Sequence, residues 1–490
     1  MEIELKFALL ADGPAVLERR LDHLPVLLRH KAQHFHLHNT YFDTPDHPLR
    51  RNKVALRVRQ IGTVAAPQWV QTLKMGQGGA SALSQRGEWE AALPSAMLDA
   101  TPLQATPWRE LDPDGSLFAA LQPQFVTAFA RTTWTIAVRG GSRVEVALDI
   151  GTVEANGSKA PICELELELL AGSADALFDV AKQIAHSVSL IPLQWSKSEQ
   201  GYQLAQGALN TPLRSQAVPV RKSMSLHGVA AITLREMLVQ FTTNLNHLRV
   251  SDDPEVLHQA RIGWRRFKGA LQLFRKHPDL ASAPTLVPLQ TLVHTMARLR
   301  DLDVAACETL PMFANAYTGA DAQRKVRWKA METALSRAVA EQRAVLLEAL
   351  GHPAVGHTLI ELTEWLELHL QPGVAENGLR PAQAADWVLR RLSRLHARLK
   401  EEPMHASDAD VQHRIRILSK RLRYGVEALR PLLPPRKAKR WLEFATALQE
   451  NIGAARDIGN ALNIVVHLQV DPGIVDFLRG LAFGERMHVR

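Results

Sequence analysis

Seven segments within residues 1–170 alternate between charged or polar and apolar side chains, and this alternation constrains the fold more than any other feature. A period of two residues is typical of a β-strand with one polar and one apolar face. In one segment, Glu145 and Asp149 alternate with Val146 and Leu148. The segments predicted to be strands are residues 2–6, 53–60, 68–74, 86–91, 131–136, 143–150 and 163–169.

The polar faces of these strands carry both signs of charge at high density. Glu164, Glu166 and Glu168 share one face, roughly 7 Å apart from one to the next, and such a row is unfavourable unless cations compensate it. Any single strand would more simply face solvent, but the repetition over seven strands favours a closed barrel whose polar faces point inward. Helical patterns near residues 13–28 and 173–190 would cover its apolar outside.

The second half of the chain shows the 3.6-residue periodicity of helices, interrupted by prolines. The mixed small and polar residues of 207–222, with two prolines, indicate a linker. We therefore predict two domains, residues 1–205 and 223–490, joined by residues 206–222. The predicted helices are residues 226–249, 256–276, 322–350, 383–400, 409–430 and 438–468.

The net charge of +8 is distributed unevenly along the chain. Residues 1–210 hold 19 basic and 22 acidic residues, whereas residues 211–490 hold 39 basic and 28 acidic residues. An excess of this kind predicts a surface for a polyanion in the second half.

The cellular compartment is indicated by what the sequence lacks. The two cysteines, Cys163 and Cys307, are far apart, which excludes a disulfide scaffold and is typical of a reducing compartment. No signal peptide or apolar membrane span is visible, so we expect a cytoplasmic protein without a membrane partner.

A barrel interior with both signs of charge suits a triphosphate bound together with a metal ion. Carboxylates repel phosphate, but they bind Mg²⁺ or Mn²⁺ through hard oxygen ligands, and the metal bridges to the phosphate. Guanidinium and ammonium groups bind phosphate directly. Metal ions and positioned carboxylates can then orient water for attack on a terminal phosphorus.

The first strand, Glu2-Ile3-Glu4-Leu5-Lys6, resembles the ExExK signature of the CYTH superfamily, the triphosphate tunnel metalloenzymes. The resemblance covers about residues 1–205 and is greatest to bacterial inorganic triphosphatases with a second domain. The other matching motifs are Tyr41 to Thr44, Ala55 to Arg59, Thr72 to Lys74, Arg86 to Glu90, Arg131, Glu145 to Asp149, Cys163 to Leu169 and Ser196 to Tyr202.

This resemblance implies an α+β domain with a closed, antiparallel, eight-stranded β-barrel tunnel. It implies metal-dependent hydrolysis of tripolyphosphate to pyrophosphate and phosphate, with Mg²⁺ or Mn²⁺ as cofactor. The implied catalytic residues are Glu2, Glu4, Lys6 and Asp149. The implied metal ligands are Glu2, Glu4 and Asp149, with two of Glu164, Glu166 and Glu168, between which the sequence does not choose. The implied triphosphate ligands are Lys6, Arg57, Arg59, Lys74, Arg131, Arg143 and Lys197.

Other polar residues of this half have simpler interpretations. Arg86, Glu88 and Glu90 face the same interior and fit either the site or a structural ion-pair network. Asp43 and Thr44 are expected to shape a turn. The spacing of His34, His36 and His38 predicts a solvated strand face rather than a metal site.

The second half contains an internal duplication. His258-x-x-Arg261-x-x-x-Arg265-Arg266-x-Lys268 is matched 155 residues later by His413-x-x-Arg416-x-x-x-Lys420-Arg421-x-Arg423. Positions 0, 3, 7 and 10 of each motif fall within roughly an 80° arc of a helix, so each helix presents three cations and a histidine in one stripe. Because like charges on one face destabilise a helix, a bound anion is the natural compensation.

These stripes, with Arg300 to Val304 and Lys420 to Tyr424, resemble the CHAD domain over about residues 220–485. The resemblance implies all-α paired helical bundles with an internal pseudo-twofold repeat that bind inorganic polyphosphate. A second Arg-Asp motif, Arg456-Asp457, lacks the later aspartate of the first. The implied polyphosphate ligands are His258, Arg261, Arg265, Arg266, Lys268, His413, Arg416, Lys420, Arg421 and Arg423.

Alternative functions remain open at the level of sequence. An adenylate cyclase, a thiamine triphosphatase or a nucleoside triphosphatase would use the same kinds of residues, and a nonenzymatic polyphosphate scaffold would use the stripes alone. Nucleic acid is disfavoured as a partner because Trp264, Phe267 and Tyr424, the aromatic residues near the stripes, are expected to lie in cores rather than stack on bases.

Overall fold

A computed structural model describes residues 1–9, 14–62, 66–76, 81–275, 282–370, 381–403 and 408–488. The chain forms two compact units, and neither is contiguous in sequence. Unit 1 comprises Met1–Thr211, Leu245–Ser251 and Gly351–Leu368, and unit 2 comprises Pro212–Asn244, Asp252–Leu350 and His369–Arg490.

Unit 1 is built on a closed antiparallel β-barrel of eight strands, as predicted. The hydrogen-bonded order is β5-β4-β3-β2-β6-β7-β8-β1, and pairing between β1 and β5 closes it, while the short β9 pairs with β1. The strands are β1 (Glu2–Leu9), β2 (Gln33–Asp43), β3 (Val54–Ile61), β4 (Gln68–Met75), β5 (Leu83–Leu93), β6 (Gln122–Ala137), β7 (Arg143–Ala155), β8 (Ser158–Ala171) and β9 (Leu190–Pro192).

The strand register brings the charged positions together inside the barrel. Glu168 lies between Glu4 of β1 and Glu145 of β7, and Lys6 lies opposite Glu166. Because paired residues on neighbouring strands point to the same face, these charges meet across the strands.

Apolar residues on the outside of the barrel form a core beneath flanking helices. Leu5 and Phe7 of β1 and Trp134 of β6 are fully buried there, together with Leu177 and Phe178 from the helix that follows β8. The helices of unit 1 are α1 (Pro14–Asp22), α2 (Pro48–Arg51), α3 (Ala100–Leu103), α4 (Trp108–Leu111), α5 (Ser116–Ala119), α6 (Asp175–Ala185), α7 (Lys197–Ala205) and α13 (Pro353–Glu364).

Helix α13 belongs to unit 1 although it lies in the second half of the sequence. Ile360 joins the core outside the barrel, and Lys182 of α6 forms an ion pair with Glu364 at 2.9 Å. Gly356 permits a close approach to β9, since a Cβ there would lie 2.6 Å from the carbonyl oxygen of Leu190. The periodicity of the sequence does not indicate that a helix from the second half of the chain packs in unit 1.

One end of the barrel interior is filled by apolar side chains and by α7. Tyr202 of α7 contacts Phe125, whose ring stacks on Tyr41 at 4.8 Å. Gly201 allows this, because a Cβ at that position would lie 2.2 Å from the Phe125 ring. The first turn of α7, capped by Ser196, therefore forms one end of the remaining polar space.

Unit 2 is helical, as the periodicity predicts, although α10, α11 and α17 were not predicted. Within the described ranges, no helix combines the length and hydropathy needed to cross a lipid bilayer. Its helices are α8 (Leu226–His247, whose last residues belong to unit 1), α9 (Pro254–Phe274), α10 (Gln290–Val304), α11 (Leu310–Thr318), α12 (Ala322–Leu350), α14 (Pro381–Glu401), α15 (Ala409–Leu429), α16 (Pro435–His467) and α17 (Pro472–His488).

Candidate functional site

A polar cavity of about 250 Å³ occupies the barrel interior. Most residues predicted for the metal and triphosphate site line it, and they come from five strands and from α7. These residues are Glu2, Glu4, Lys6, Arg57, Arg59, Lys74, Arg131, Glu166, Glu168 and Lys197. The lining also includes Tyr41, Thr72, Arg86, Glu88, Glu90, Glu145, Ser196 and Ser198.

The carboxylates of β1 are buried and paired with cations. Lys74 Nζ donates to Glu2 Oε1 at 2.6 Å, and Arg86 Nε donates to Glu2 Oε2 at 3.0 Å. Arg86 also donates to Glu4, which lies 2.9 Å from Lys6 Nζ. Burial alone would raise the pKa of Glu2, but Lys74 and Arg86 lower that pKa to about 2. Glu2 is therefore a permanent anion at neutral pH.

Lys197 lies at the centre of an acidic cluster formed by Asp149, Glu164 and Glu166, whose oxygens approach within 4.8 Å of one another. Its Nζ lies 2.6 Å from Asp149 Oδ2 and 2.9 Å from Glu166 Oε1, and it also pairs with Glu164. Arg131 donates to Asp149 at 2.7 and 2.6 Å and to Glu166 at 2.5 Å. Lys197 and Arg131 thus compensate most of the negative charge of the cluster, and Lys6 lies 3.9 Å from Glu166.

Glu145 and Glu168 lack such a balance. Among the described residues, no cationic nitrogen lies within 4 Å of either carboxylate. Burial and the carboxylates of Glu2 and Glu88 raise the pKa of Glu168 to about 7, and burial likewise raises the pKa of Glu145. Hard oxygen donors with uncompensated negative charge fit a divalent cation such as Mg²⁺ or Mn²⁺.

Another wall of the cavity has two arginines on one face of β3, and Glu88 lies 3.9 Å from the first of them, Arg57. Arg57 Nη1 donates to the Tyr41 hydroxyl at 3.5 Å, and Arg59 Nε donates to Asn39 Oδ1 at 2.8 Å. Burial, together with the neighbouring Arg57 and Arg131, lowers the pKa of Arg59 to about 9. A bound phosphate would relieve this repulsion and accept the remaining guanidinium hydrogen bonds.

The structure does not bring every predicted residue to the cavity. Arg143 is exposed at the start of β7 and is not part of the cavity lining, while Asp149 and Glu164 are fully buried beneath it. Glu145, which the predicted set omits, does line it. Its strand parity with Asp149 is a signal that could have identified it.

Residues expected to have structural roles do so. Asp43 is buried and accepts hydrogen bonds from the backbone of Thr44, Leu49 and Arg50 and from the Tyr202 hydroxyl, so it shapes the turn as predicted. The exposed strand face expected for the histidines is confirmed at positions 34, 36 and 38. Arg86, Glu88 and Glu90 line the cavity, and they also form ion pairs or hydrogen bonds with neighbouring residues. They therefore belong to the site and to a structural network at the same time.

In unit 2, α9 packs against α15, and cations of the two predicted stripes lie near one another there. Burial, followed by the charges of Arg265, Arg423 and Arg261, lowers the pKa of Lys420 to about 7, so cations of both helices are near enough to act on this lysine. Asp457 acts on Lys420 in the opposite direction. We call the surface formed by Arg261, Arg265, Lys420 and Arg423 the basic groove.

The other predicted polyphosphate ligands lie in different positions. His258 and Arg416 are partly buried, whereas Lys268 and His413 are exposed. Arg266 is buried, and its Nη1 donates to Gln240 Oε1 at 2.7 Å, so it takes part in packing between α8 and α9 rather than in the groove. The Arg421 side chain is near Arg275 and Arg398 instead. The Arg456 side chain lies outside the described residues.

A charged barrel followed by a helical unit with converging basic stripes defines a two-domain protein of the kind that the motifs predict. Residues 1–202 match the CYTH domain and residues 232–462 match the CHAD domain. The chain therefore contains a CYTH domain followed by a CHAD domain.

One curated relative and two solved structures illustrate these matches. An inorganic triphosphatase from Haemophilus influenzae is 34% identical over 204 residues, which are 41% of this chain and 54% of the relative. The chain thus spans about half the length of that relative. A CHAD domain from Ricinus communis is 25% identical with a TM-score of 0.48, covering 57% of this chain and 92% of the other. A putative adenylyl cyclase from Hippeastrum, described as having a dominant triphosphatase activity, is 19% identical with a TM-score of 0.29, covering 43% and 97%.

Proposed function

We propose that unit 1 is a metal-dependent inorganic triphosphatase that hydrolyses tripolyphosphate to pyrophosphate and phosphate. The observation that carries this proposal is that one cavity contains both carboxylates and guanidinium groups whose charges are not fully compensated. Among the described residues, no cationic nitrogen lies within 4 Å of Glu145 or Glu168. Arg57 and Arg59 crowd positive charge on another wall, where Glu88, 3.9 Å from Arg57, compensates only part of it. The 34% identity to a protein named inorganic triphosphatase supports it.

Different residues of the cavity would bind the phosphates and the metal. Arg57, Arg59 and Arg131 present guanidinium groups to the phosphate oxygens, and Lys74 adds a point charge. The metal would be held by Glu2 and Glu4 with Glu168 and Glu145. The chemistry that a bound Mg²⁺ or Mn²⁺ supplies is neutralisation of phosphate charge and acidification of a water molecule.

Lys197 and the residues around it would fix the substrate's depth. Its ammonium group lies above the closed end of the barrel, held by Asp149, Glu164 and Glu166. A linear triphosphate that reaches this end would contact the Lys197 ammonium group, which three surrounding carboxylates hold in a fixed position. This preorganisation aligns the terminal phosphorus for in-line attack by water.

The lining favours an inorganic triphosphate over a nucleoside or thiamine triphosphate. Among the described residues that line the cavity, Tyr41 is the sole aromatic side chain, and it is stacked on Phe125. A purine or thiazolium ring would therefore find no free stacking surface within the cavity. The other superfamily substrates stay as alternatives that a direct assay separates.

The test is to identify products by ³¹P NMR when the full chain meets tripolyphosphate, ATP, thiamine triphosphate and long-chain polyphosphate with Mg²⁺ or Mn²⁺. We expect equal amounts of pyrophosphate and phosphate from tripolyphosphate, formed faster than products from the other three. Faster turnover of ATP, or formation of a cyclic nucleotide, would reassign the substrate. Absence of any product with either metal would refute the enzyme.

We further propose that the basic groove of unit 2 binds inorganic polyphosphate. The support is the convergence of Arg261, Arg265, Lys420 and Arg423, which lowers the pKa of the lysine. An anion with repeated phosphates would compensate these charges at regular spacing. Binding of polyphosphate to the full chain, measured by isothermal titration calorimetry, tests this proposal.

A further inference from the structure

Five arginines form a second basic surface on unit 2. Arg275 follows the last residue of α9, Arg391, Arg394 and Arg398 lie on α14, and Arg421 lies on α15. The three on α14 occupy positions i, i+3 and i+7, which places them on one side of the helix over about 10 Å. We call these five residues the arginine face.

Close packing of the three helices holds this surface together. A Cβ on Gly425 of α15 would lie 2.9 Å from Leu392 of α14 and 3.7 Å from Leu273 of α9, so the helices meet at that glycine. Arg391 Nε donates to the carbonyl oxygen of Leu273 at 3.2 Å and satisfies one of the free carbonyls at the end of α9. The arginines thus project from a rigid junction.

The arginine face has no acidic compensation. Among the described residues, no carboxylate oxygen lies within 4 Å of any of the five guanidinium groups. The electrostatic neighbours confirm their proximity: burial, Arg275 and Arg394 lower the pKa of Arg391, and burial, Arg398 and Arg275 lower the pKa of Arg421. Five like charges without a carboxylate within 4 Å form a surface that favours an external anion.

The arginine face is separate from the basic groove. Arg421 directly follows Lys420 in α15, and successive residues of a helix point about 100° apart. The neighbours that perturb Lys420 are Arg265, Arg423 and Arg261, whereas those that perturb Arg421 are Arg398 and Arg275. The two sets share no residue.

We propose that the arginine face is a second binding site for inorganic polyphosphate, engaged by chains too long for the basic groove. This inference rests on the proposed binding of polyphosphate by the groove and extends it. Arginine alone supplies the charge, and its planar donors bind paired phosphate oxygens. The nearby Trp387 is already stacked on Phe274 at 5.8 Å, so that pair does not offer the facing ring surfaces to a nucleobase, which favours a polymer without bases.

The experiment measures binding of polyphosphate of two lengths to the full chain, one of about ten phosphates and one of several hundred. The face variant is Arg394→Gln with Arg398→Gln, the groove variant is Arg265→Gln with Lys420→Gln, and the matched control is Lys329→Gln with Arg337→Gln. Both control residues lie on α12 with side chains 79% and 82% exposed. Titrations at several salt concentrations count the phosphate contacts.

We expect the face variant to bind the long chain about tenfold more weakly and to reduce its salt slope by about 1.5, while short-chain binding and tripolyphosphate hydrolysis stay as in the wild type. The groove variant should lose affinity for both lengths.

The inference would be overturned if the face variant bound the long chain with the affinity and salt slope of the wild type, even if the groove variant loses binding. An oligonucleotide that displaces the long chain at equal phosphate concentration would contradict the preference for a polymer without bases. If the wild type binds neither length, both the groove proposal and this inference are wrong.

Discussion

The barrel interior of unit 1 and the basic groove of unit 2 are both phosphate-binding candidates, yet they arrange charge in opposite ways. In the barrel, Lys197 and Arg131 lie against Asp149 and Glu166 at 2.5 to 2.9 Å. In the groove, Lys420 faces mainly other cations, and its pKa falls to about 7. Around Lys197 the barrel compensates most of its charge with side chains of the chain itself. Around Lys420 the cations outnumber the carboxylates, although Asp457 acts on Lys420 and Glu427 lies 3.4 Å from Arg423.

This difference indicates what each site binds. A metal with a triphosphate brings both signs of charge, so a mixed interior can exchange internal pairs for ligand contacts at small electrostatic cost. A polyphosphate chain brings negative charge alone, so an array of cations gains most from it. Loss of a charge should therefore destabilise the folded barrel but mainly weaken ligand binding in the groove.

The largest effect on stability is expected from Asp149→Asn. Asp149 is fully buried and accepts from Arg131 and Lys197. Removing its charge leaves these cations short of compensation, which should lower the free energy of unfolding by about 3 kcal/mol. Urea denaturation of the full chain measures this loss.

A matched control lies on the same strand. Glu154 is 50% exposed and pairs with Lys159, which is 60% exposed. Glu154→Gln should leave the free energy of unfolding unchanged, because solvent already screens this pair. Equal effects of the two substitutions would show that the interior pairs do not support the fold.

The groove variant Arg265→Gln with Lys420→Gln should show the opposite behaviour. We expect polyphosphate affinity to fall about 100-fold, because two phosphate contacts are lost. The free energy of unfolding should not fall, since repulsion among the remaining cations is relieved. Thermal unfolding and calorimetry on one preparation measure both quantities, and a stability loss without an affinity loss would reverse the comparison.

The mildest effect is a pH dependence confined to the groove. Lys420 is charged below its pKa of about 7 and neutral above it. Because a bound anion favours the charged form, polyphosphate affinity should fall several-fold as the pH rises from about 7 to about 9. Lys420→Arg, which stays charged, should abolish this trend. A trend unchanged in that variant would assign it to another group.

Strand parity in the sequence was enough to identify most of the barrel interior. Alternation placed Glu2, Glu4 and Lys6 on one face, and the structure has all three in the cavity. The alternation predicts which face of a strand a residue occupies, but it does not predict how far along the barrel axis that residue lies. Arg143 and Glu145 share a face, yet the first lies exposed at the strand end and the second inside.

Contacts between distant segments could not be predicted. The carboxylates around Lys197 are brought together by the register of β7 and β8. Lys197 reaches them because α7 packs closely against the barrel, where Gly201 approaches Phe125. The inclusion of α13 in unit 1 depends on Gly356 against β9. No local periodicity records such pairings, because they are fixed by packing across the fold.

The central claim is that the charged barrel interior hydrolyses a triphosphate with the help of a metal. The measurement that tests it most directly is kcat/KM for phosphate release from tripolyphosphate by the full chain, with and without Mg²⁺ or Mn²⁺, compared among wild type, Glu4→Gln and Glu154→Gln. We predict metal-dependent release by wild type and by Glu154→Gln, and a loss of about 100-fold or more in Glu4→Gln. Release that is independent of added metal, or equal in the folded Glu4→Gln variant, would contradict the claim.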